Sequence, residues 1–122
     1  MKITKIFFHF INILFIIFYI YPGSIFGYLI YGNLSKQPQV TPDFYFSSNH
    51  VYAFFIVSLL GFISNTNKKF YTIYFIFLSI FLELSHIIIP NRSFQFEDLF
   101  GNILGVLLSI IIIKIYYYLE RK

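Results

Sequence analysis

Four runs of Phe, Ile, Leu and Tyr, each close to the length of a membrane-crossing helix, take up most of this 122-residue chain. A helix needs about 20 mostly apolar residues to cross a bilayer. The runs cover about 6–21, 47–64, 70–89 and 98–119, and polar or proline-containing turns (Pro22-Gly23, NTNKK, Pro90) separate them. None alternates with the period of two expected of a barrel strand, and a continuous apolar run in lipid can satisfy its backbone polar groups only as a helix. The pattern predicts an all-α integral membrane bundle of four transmembrane helices, one domain over 1–122.

Composition supports this reading. The chain is 58% hydrophobic and 11% charged, against about 25% charged in an average soluble domain. A soluble domain of this size lacks the interior to hide so much Phe, Ile and Leu, so the expected partner is the lipid bilayer. The absence of Cys excludes disulfides and thiolate-bound metals. The net charge of +4 would suit nucleic acid, but the basic residues are scattered at segment ends, and no nucleic-acid partner is expected. Lys2, Lys5, Lys68, Lys69, Arg121 and Lys122 collect on one side of the predicted membrane, and only Lys36 and Arg92 on the other. The positive-inside rule then makes both termini cytoplasmic in a multi-pass protein of the cytoplasmic (inner) membrane. The opening MKITK resembles a signal peptide, but the apolar run after it exceeds the roughly 7–15 residues of an h-region, so an uncleaved helix is expected. The stretch SIFGYLIYG after Pro22 is apolar but short, and is expected to lie at the membrane interface.

Against this background, FLELSHIIIPNRSFQFEDLFGNILG (81–105) holds three of the five acidic residues. In the predicted topology Glu83 and His86 end the third helix, Arg92 sits in the outer turn, Asp98 and Asn102 open the fourth helix, and His50 begins the second. Six candidate functional residues therefore converge on one depth at the outer face. At 100° per residue, Ser79, Glu83 and His86 share one helix stripe. Asp98, Gly101, Asn102, Gly105 and Ser109 share another, in which small residues let helices approach closely, while Val106 should lie about 100° off it. His50, Ala53, Val57 and Gly61 form a third. Gly61, Gly101, Gly105 and Ser109 are thus read as packing residues. His9 and Asn12, one turn apart on the first helix, are read as helix-contact groups.

An ionised Glu83 in hydrocarbon would cost about 2.5–3.5 kcal/mol. Arg92, whose planar fork suits a carboxylate, is its expected partner in one network with Asp98. Such a network is equally a structural clasp or a site for a polar ligand or proton transfer. His50, Glu83, His86 and Asp98 are also zinc-ligand types, with Glu83 and His86 at the i, i+3 spacing of bundle metal sites. There is no HExxH motif, and neither a metal nor another cofactor is expected.

These residues carry a resemblance. His50 at a helix start, Glu83 near a helix end, Pro90-Asn91-Arg92, Asp98-Leu99, and Asn102 with Gly105 follow the order and spacing of the VanZ-like family of small bacterial membrane proteins. The likeness covers the second half of the chain in its residues and the first half by hydropathy. The family's Asp-Lys before the His is replaced by FYFSSNH, and its Gln after the Glu by His86. The resemblance implies a membrane protein of the cell envelope. It does not extend to the reduced teicoplanin susceptibility associated with the founding member. The function expected is binding of a polar or lipid-linked cell-envelope component, lipid or glycan, at the outer cluster. The alternatives are a membrane-embedded hydrolase or transferase acting on such a component, with Glu83 and a His as acid and base, and a small helical subunit of a membrane complex.

Overall fold

The computed structural model describes residues 2–43 and 45–122; Met1 and Phe44 lie outside the described residues. Among them are five helices and no strand: α1 (Lys2–Ile20), α2 (Ile25–Tyr31), α3 (Ser48–Ser64), α4 (Lys68–Ser85) and α5 (Phe96–Glu120). The four long helices match the four apolar runs with shifted ends. The stretch after Pro22 is helical: Ser24 Oγ accepts the Gly27 amide at 3.0 Å and Gly32 closes α2 in the left-handed region at φ 67°. The third long helix stops at Ser85, four residues before the expected end. Proline disfavours the α conformation in the residue before it, and the chain leaves the helix through turn bonds from the Ile87 and Ile88 amides to the Leu84 and Ser85 carbonyls, at 3.1 and 3.2 Å. His86 therefore caps α4 and does not lie within it.

Two helices, α1 and α5, are long and apolar enough to cross a membrane. α3 is apolar but spans 17 residues, and α4 carries Lys68, Lys69 and Glu83 among its 18. Going round the bundle, α1 packs on α3, α3 on α5, α5 on α4 and α4 on α1, with α3 and α4 also touching across the middle. The core is small and rich in Phe: Phe8, Phe54, Phe62 and Phe75 with Val57, Leu78, Leu82 and Val106. Large apolar side chains face outward all round it, among them Phe7, Phe10, Ile73, Phe77, Ile111 and Ile115, each at least half exposed. A monomeric soluble protein rarely shows contiguous apolar patches beyond a few hundred Å².

The closest approach is between α3 and α5. A Cβ on Gly105 would stand 2.5 Å from the Val51 carbonyl oxygen and 2.9 Å from the Phe55 nitrogen, and one on Gly101 would stand 2.9 Å from the Ser47 carbonyl. Ser109 continues the line, with its Oγ 2.6 Å from Ser58 Oγ. The ladder on α5 thus lies along Ser47, Val51, Phe55 and Ser58, a different face of α3 from the expected stripe. Gly61 is turned toward the Phe75 and Phe8 rings of α4 and α1. Val106, expected off the packed stripe, is completely buried. α5 is flanked by α3 on one side and α4 on the other, so a residue 100° from the first contact falls in the second. Asn12 of α1 donates to the Tyr74 hydroxyl of α4 at 2.5 Å, while His9 stays outside and packs on the Phe8 ring.

The loop before α3 is tied to the start of that helix. Asp43 Oδ1 accepts the Ser48 amide at 2.9 Å and the Gln39 amide nitrogen at 2.7 Å, replacing the side-chain cap that Ser47 does not provide. The hydrogen bond from the Ser48 amide lowers the Asp43 pKa below its ordinary value. A carboxyl whose folded pKa is depressed contributes stability above its unfolded pKa of about 3.9 and loses it as pH falls through the folded value. Protection of the Ser48 amide from hydrogen exchange, corrected for intrinsic rates, should hold from neutral pH to about 4 and fall below that. Asp43→Asn should lower the protection at neutral pH and flatten its acid dependence.

Candidate functional site

The up-and-down path brings four helix ends together: the C-terminal ends of α1 and α4 and the N-terminal ends of α3 and α5. Each contributes polar side chains at that level. The backbone joins them too, since the Ser47 amide donates to the Glu97 carbonyl at 3.2 Å. Of the six residues singled out in the sequence, His50, Glu83, His86, Asp98 and Asn102 converge here, and Arg92 lies beside them facing another way.

At the centre is Tyr19, which the sequence reading did not single out. Its hydroxyl donates to Asn102 Oδ1 at 2.7 Å and meets His50 Nδ1 in a short hydrogen bond. His50 Nδ1 also lies 2.8 Å from Asn102 Oδ1, and Asn102 Nδ2 donates to the Ser79 carbonyl of α4 at 3.1 Å. The His86 ring stacks on the Tyr19 ring with centroids 5.2 Å apart, and its Nε2 lies 2.9 Å from the Tyr19 carbonyl. One residue of α1 thus ties together α3, α4 and α5.

The hydrogen-bond network assigns imidazole tautomers. A carbonyl oxygen can only accept, so His86 Nε2 carries a proton, and in the neutral ring Nδ1 holds a lone pair. That lone pair faces Glu83 Oε2 at 3.5 Å. His50 Nδ1 meets two oxygens, Asn102 Oδ1 and the Tyr19 hydroxyl; with the Tyr19 proton given to Asn102, Nδ1 carries a proton, 4.0 Å from Glu83 Oε2, and the lone pair of neutral His50 is on Nε2, 3.7 Å from Asp98 Oδ1. Glu83 is fully buried. Its Oε1 accepts the Gln95 amide at 3.2 Å, while Oε2 has no hydrogen-bond partner. Each imidazole lone pair therefore faces a carboxylate oxygen, an arrangement that a proton on the ring, or another cation between the two, makes favourable.

Arg92 does not supply that charge. Among the described residues it forms no ion pair. Its Nε donates to the Tyr21 carbonyl at 3.1 Å, and one terminal nitrogen to the carbonyls of Phe18 (3.2 Å) and Gly23 (2.7 Å). The reason is in the sequence of α1. The Phe18 carbonyl would normally accept the amide four residues on, but that residue is Pro22, which has none. The guanidinium provides the missing donor and lies against the negative end of the helix dipole. Desolvation draws its pKa below the ordinary arginine value. At the opposite end of the bundle Lys68 does the same for α3, donating to the Phe62 carbonyl and, at 2.6 Å, to that of Asn65.

A polar cavity of about 350 Å³ opens over the cluster, lined by His50, His86, Arg92, Asp98, Asp43 and seven further polar residues beyond Gln37. It adjoins an apolar cavity of about 150 Å³ among Phe15, Phe18, Phe26 and Ala53, which shares Gln37, Asn49, His50 and Arg92 with it. An apolar groove of about 310 Å³ continues outward along Phe26, Ile30, Tyr52 and Ala53, between α2 and α3.

Because Arg92 caps α1 and does not pair with Glu83, its loss should behave as loss of charge-assisted hydrogen bonds. Arg92→Ala should destabilise the protein by on the order of 2–3 kcal/mol, and Lys36→Ala, on the exposed loop, by no more than about 0.5 kcal/mol. Adding Glu83→Gln should not restore Arg92→Ala, as it would if the two were a stranded ion pair. Thermal midpoints in detergent decide this, and recovery in the double variant would return Glu83 to Arg92.

No protein-family model matches this chain, no curated protein is significantly similar to it, and no solved structure matches its fold.

Proposed function

We propose that the chain is a VanZ-like membrane protein with four spans and cytoplasmic termini, which binds a polar or lipid-linked cell-envelope component at the polar end of the bundle. The observation that carries this reading is that three neighbouring cavities, one polar and two apolar, share lining residues. A chamber with only polar side chains around it shares Gln37, Asn49, His50 and Arg92 with an apolar cavity, which in turn shares Phe26 and Ala53 with an apolar groove between α2 and α3. That form suits an amphiphile with its headgroup in the chamber and its chain in the groove. The apolar exterior supports immersion in lipid. Lys2, Lys5, Lys68, Lys69, Arg121 and Lys122 belong to the end opposite the chamber, where Lys68 Nζ sits over the Tyr117 ring at 5.6 Å. This charge asymmetry supports cytoplasmic termini and a chamber facing outward. The order His50, Glu83, Pro90-Asn91-Arg92, Asp98, Asn102 and Gly105 supports the family reading.

Two measurements test the proposal. A reporter active only outside the cytoplasm should work when inserted within Ser35–Thr41 and fail when fused after Lys122; the reverse result would place the chamber inside the cell. Native mass spectrometry of the protein released from mild detergent should show a retained lipid adduct. Ala53→Trp, which fills the groove without touching the polar network, should remove that adduct and leave the helical content unchanged. An adduct indifferent to Ala53→Trp would sink the amphiphile reading.

A further inference from the structure

Glu83 raises a problem that hydrogen bonding within the chain does not solve. Among the described residues it is the one acidic side chain with no exposure at all, and its Oε2 accepts no hydrogen bond, its nearest cation-capable neighbours being Nδ1 of His86 at 3.5 Å and Nδ1 of His50 at 4.0 Å. A buried carboxylate whose neighbours are two neutral imidazoles is costly unless a proton or another cation lies among them. Around it, side chains from two other helices present further anionic or lone-pair donors. One ligand atom each from His50, Glu83 and Asp98 lies within 4.8 Å of the others. The tautomers deduced above turn Nε2 of His50, with its lone pair, toward Asp98.

We infer that His50, Glu83 and Asp98 form a binding site for a divalent first-row metal ion of the manganese-to-zinc series, with His50 donating through Nε2. The donor set of one imidazole and two carboxylates suits this class, and the absence of thiolates argues against softer ions. A metal bonded at about 2.0–2.2 Å holds tetrahedral ligands roughly 3.4 Å apart. The His50–Asp98 pair, at 3.7 Å, is already near that spacing, and with one ligand atom of each residue within 4.8 Å of the others the set closes to tetrahedral spacing by an approach of at most about 1.4 Å. The surroundings are those of a metal ligand shell. A metal-bound histidine characteristically gives its other ring proton to a carbonyl or carboxylate, which fixes the ring, and His50 Nδ1 does so to Asn102 Oδ1. Glu83 Oε1 is held by the Gln95 amide, leaving Oε2 to the ion. Asp98 is partly exposed to the chamber, so a coordination position would remain open to water or to an oxyanion of a bound headgroup.

No HExxH or other linear motif announces such a site, because its three donors come from three helices separated in sequence. The inference concerns the same chamber as the proposed function but does not depend on a lipid-linked occupant, since the metal can be measured on the protein alone.

The experiment uses the full chain purified in detergent, stripped with chelator and titrated with Zn²⁺ and Mn²⁺ by calorimetry, with Co²⁺ absorption reporting coordination geometry. The expected result is one equivalent per chain and a rise in thermal midpoint on binding. Affinity should fall at least about tenfold in Asp98→Asn and in Glu83→Gln and be unchanged in Glu97→Gln, whose carboxylate lies outside the cluster and is exposed. Circular dichroism of the stripped variants guards against misfolding. Asp98 is the more informative position, because its partial exposure lets the neutral variant fold. Absence of saturable binding to the wild type at pH 7.5, or equal affinity in Asp98→Asn and Glu97→Gln, would overturn the inference and leave protons as the charges between these groups. Stoichiometric binding with no lipid adduct would support the metal site while removing the amphiphile reading.

Discussion

The structure depends on the backbone-to-backbone approach of α5 to α3. Gly105 stands where any side chain would strike the Val51 carbonyl and the Phe55 amide, Gly101 does the same at Ser47, and Ser109 closes the line on Ser58. In lipid, association of helices draws on packing and interhelical hydrogen bonds, because apolar burial offers little when the solvent is itself apolar. The Gly-Gly-Ser line supplies both. It also sets the register of the two helices: with Gly101 against Ser47, Asn102 is brought to His50. Were α5 a turn out of step, the imidazole and the amide would be about 5.4 Å further apart and the hub around Tyr19 would not form.

The polar end is a consequence of that register and of topology. Four helix ends meet, and each has backbone groups left over. Arg92 satisfies the carbonyls left at the end of α1, Lys68 does so for α3 at the other end, and Asp43 takes the first amide of α3. Once these cations and anions are committed to the backbone, the two imidazoles and two carboxylates of the cluster are left to one another, with Glu83 fully buried and its Oε2 facing imidazole nitrogens without a hydrogen bond. A polar chamber beside an apolar channel follows from the same geometry, because α2 leans its Phe26 against Phe18 at the lip of α1.

Much of this was legible in the sequence where a single principle acted alone. The four apolar runs gave four long helices, and their alternating direction placed His50, Glu83, Asp98 and Asn102 at one depth. The misreadings arose where two principles competed. Val106 was set off the packed stripe by its helical angle, but α5 has neighbours on two sides. Arg92 looked like the partner of Glu83 by charge, yet the carbonyl left open by Pro22 has the stronger claim. That signal was present in the sequence, in the spacing of Phe18 and Pro22. Tyr19 was hidden by its company: in FIIFYIYPG one more aromatic looks like filler, and only its depth, one turn before the break, sets its hydroxyl apart. The stretch SIFGYLIYG was too short to read as a span, but Ser24 as a cap and Gly32 as a stop marked a helix.

The register of α5 on α3 is therefore the claim on which the site stands, and the absence of native cysteine makes it directly measurable. In Ser58→Cys/Ser109→Cys the two sulfurs replace hydroxyls 2.6 Å apart, a separation compatible with disulfide geometry. A membrane-permeant oxidant should close this pair within one chain, seen as a faster-migrating band that reductant reverses. Ser58→Cys/Ile111→Cys, with the second position on the outward face of α5, should stay open. Failure of the first pair to close, or equal closure of both, would mean that α5 does not lie on α3 in this register.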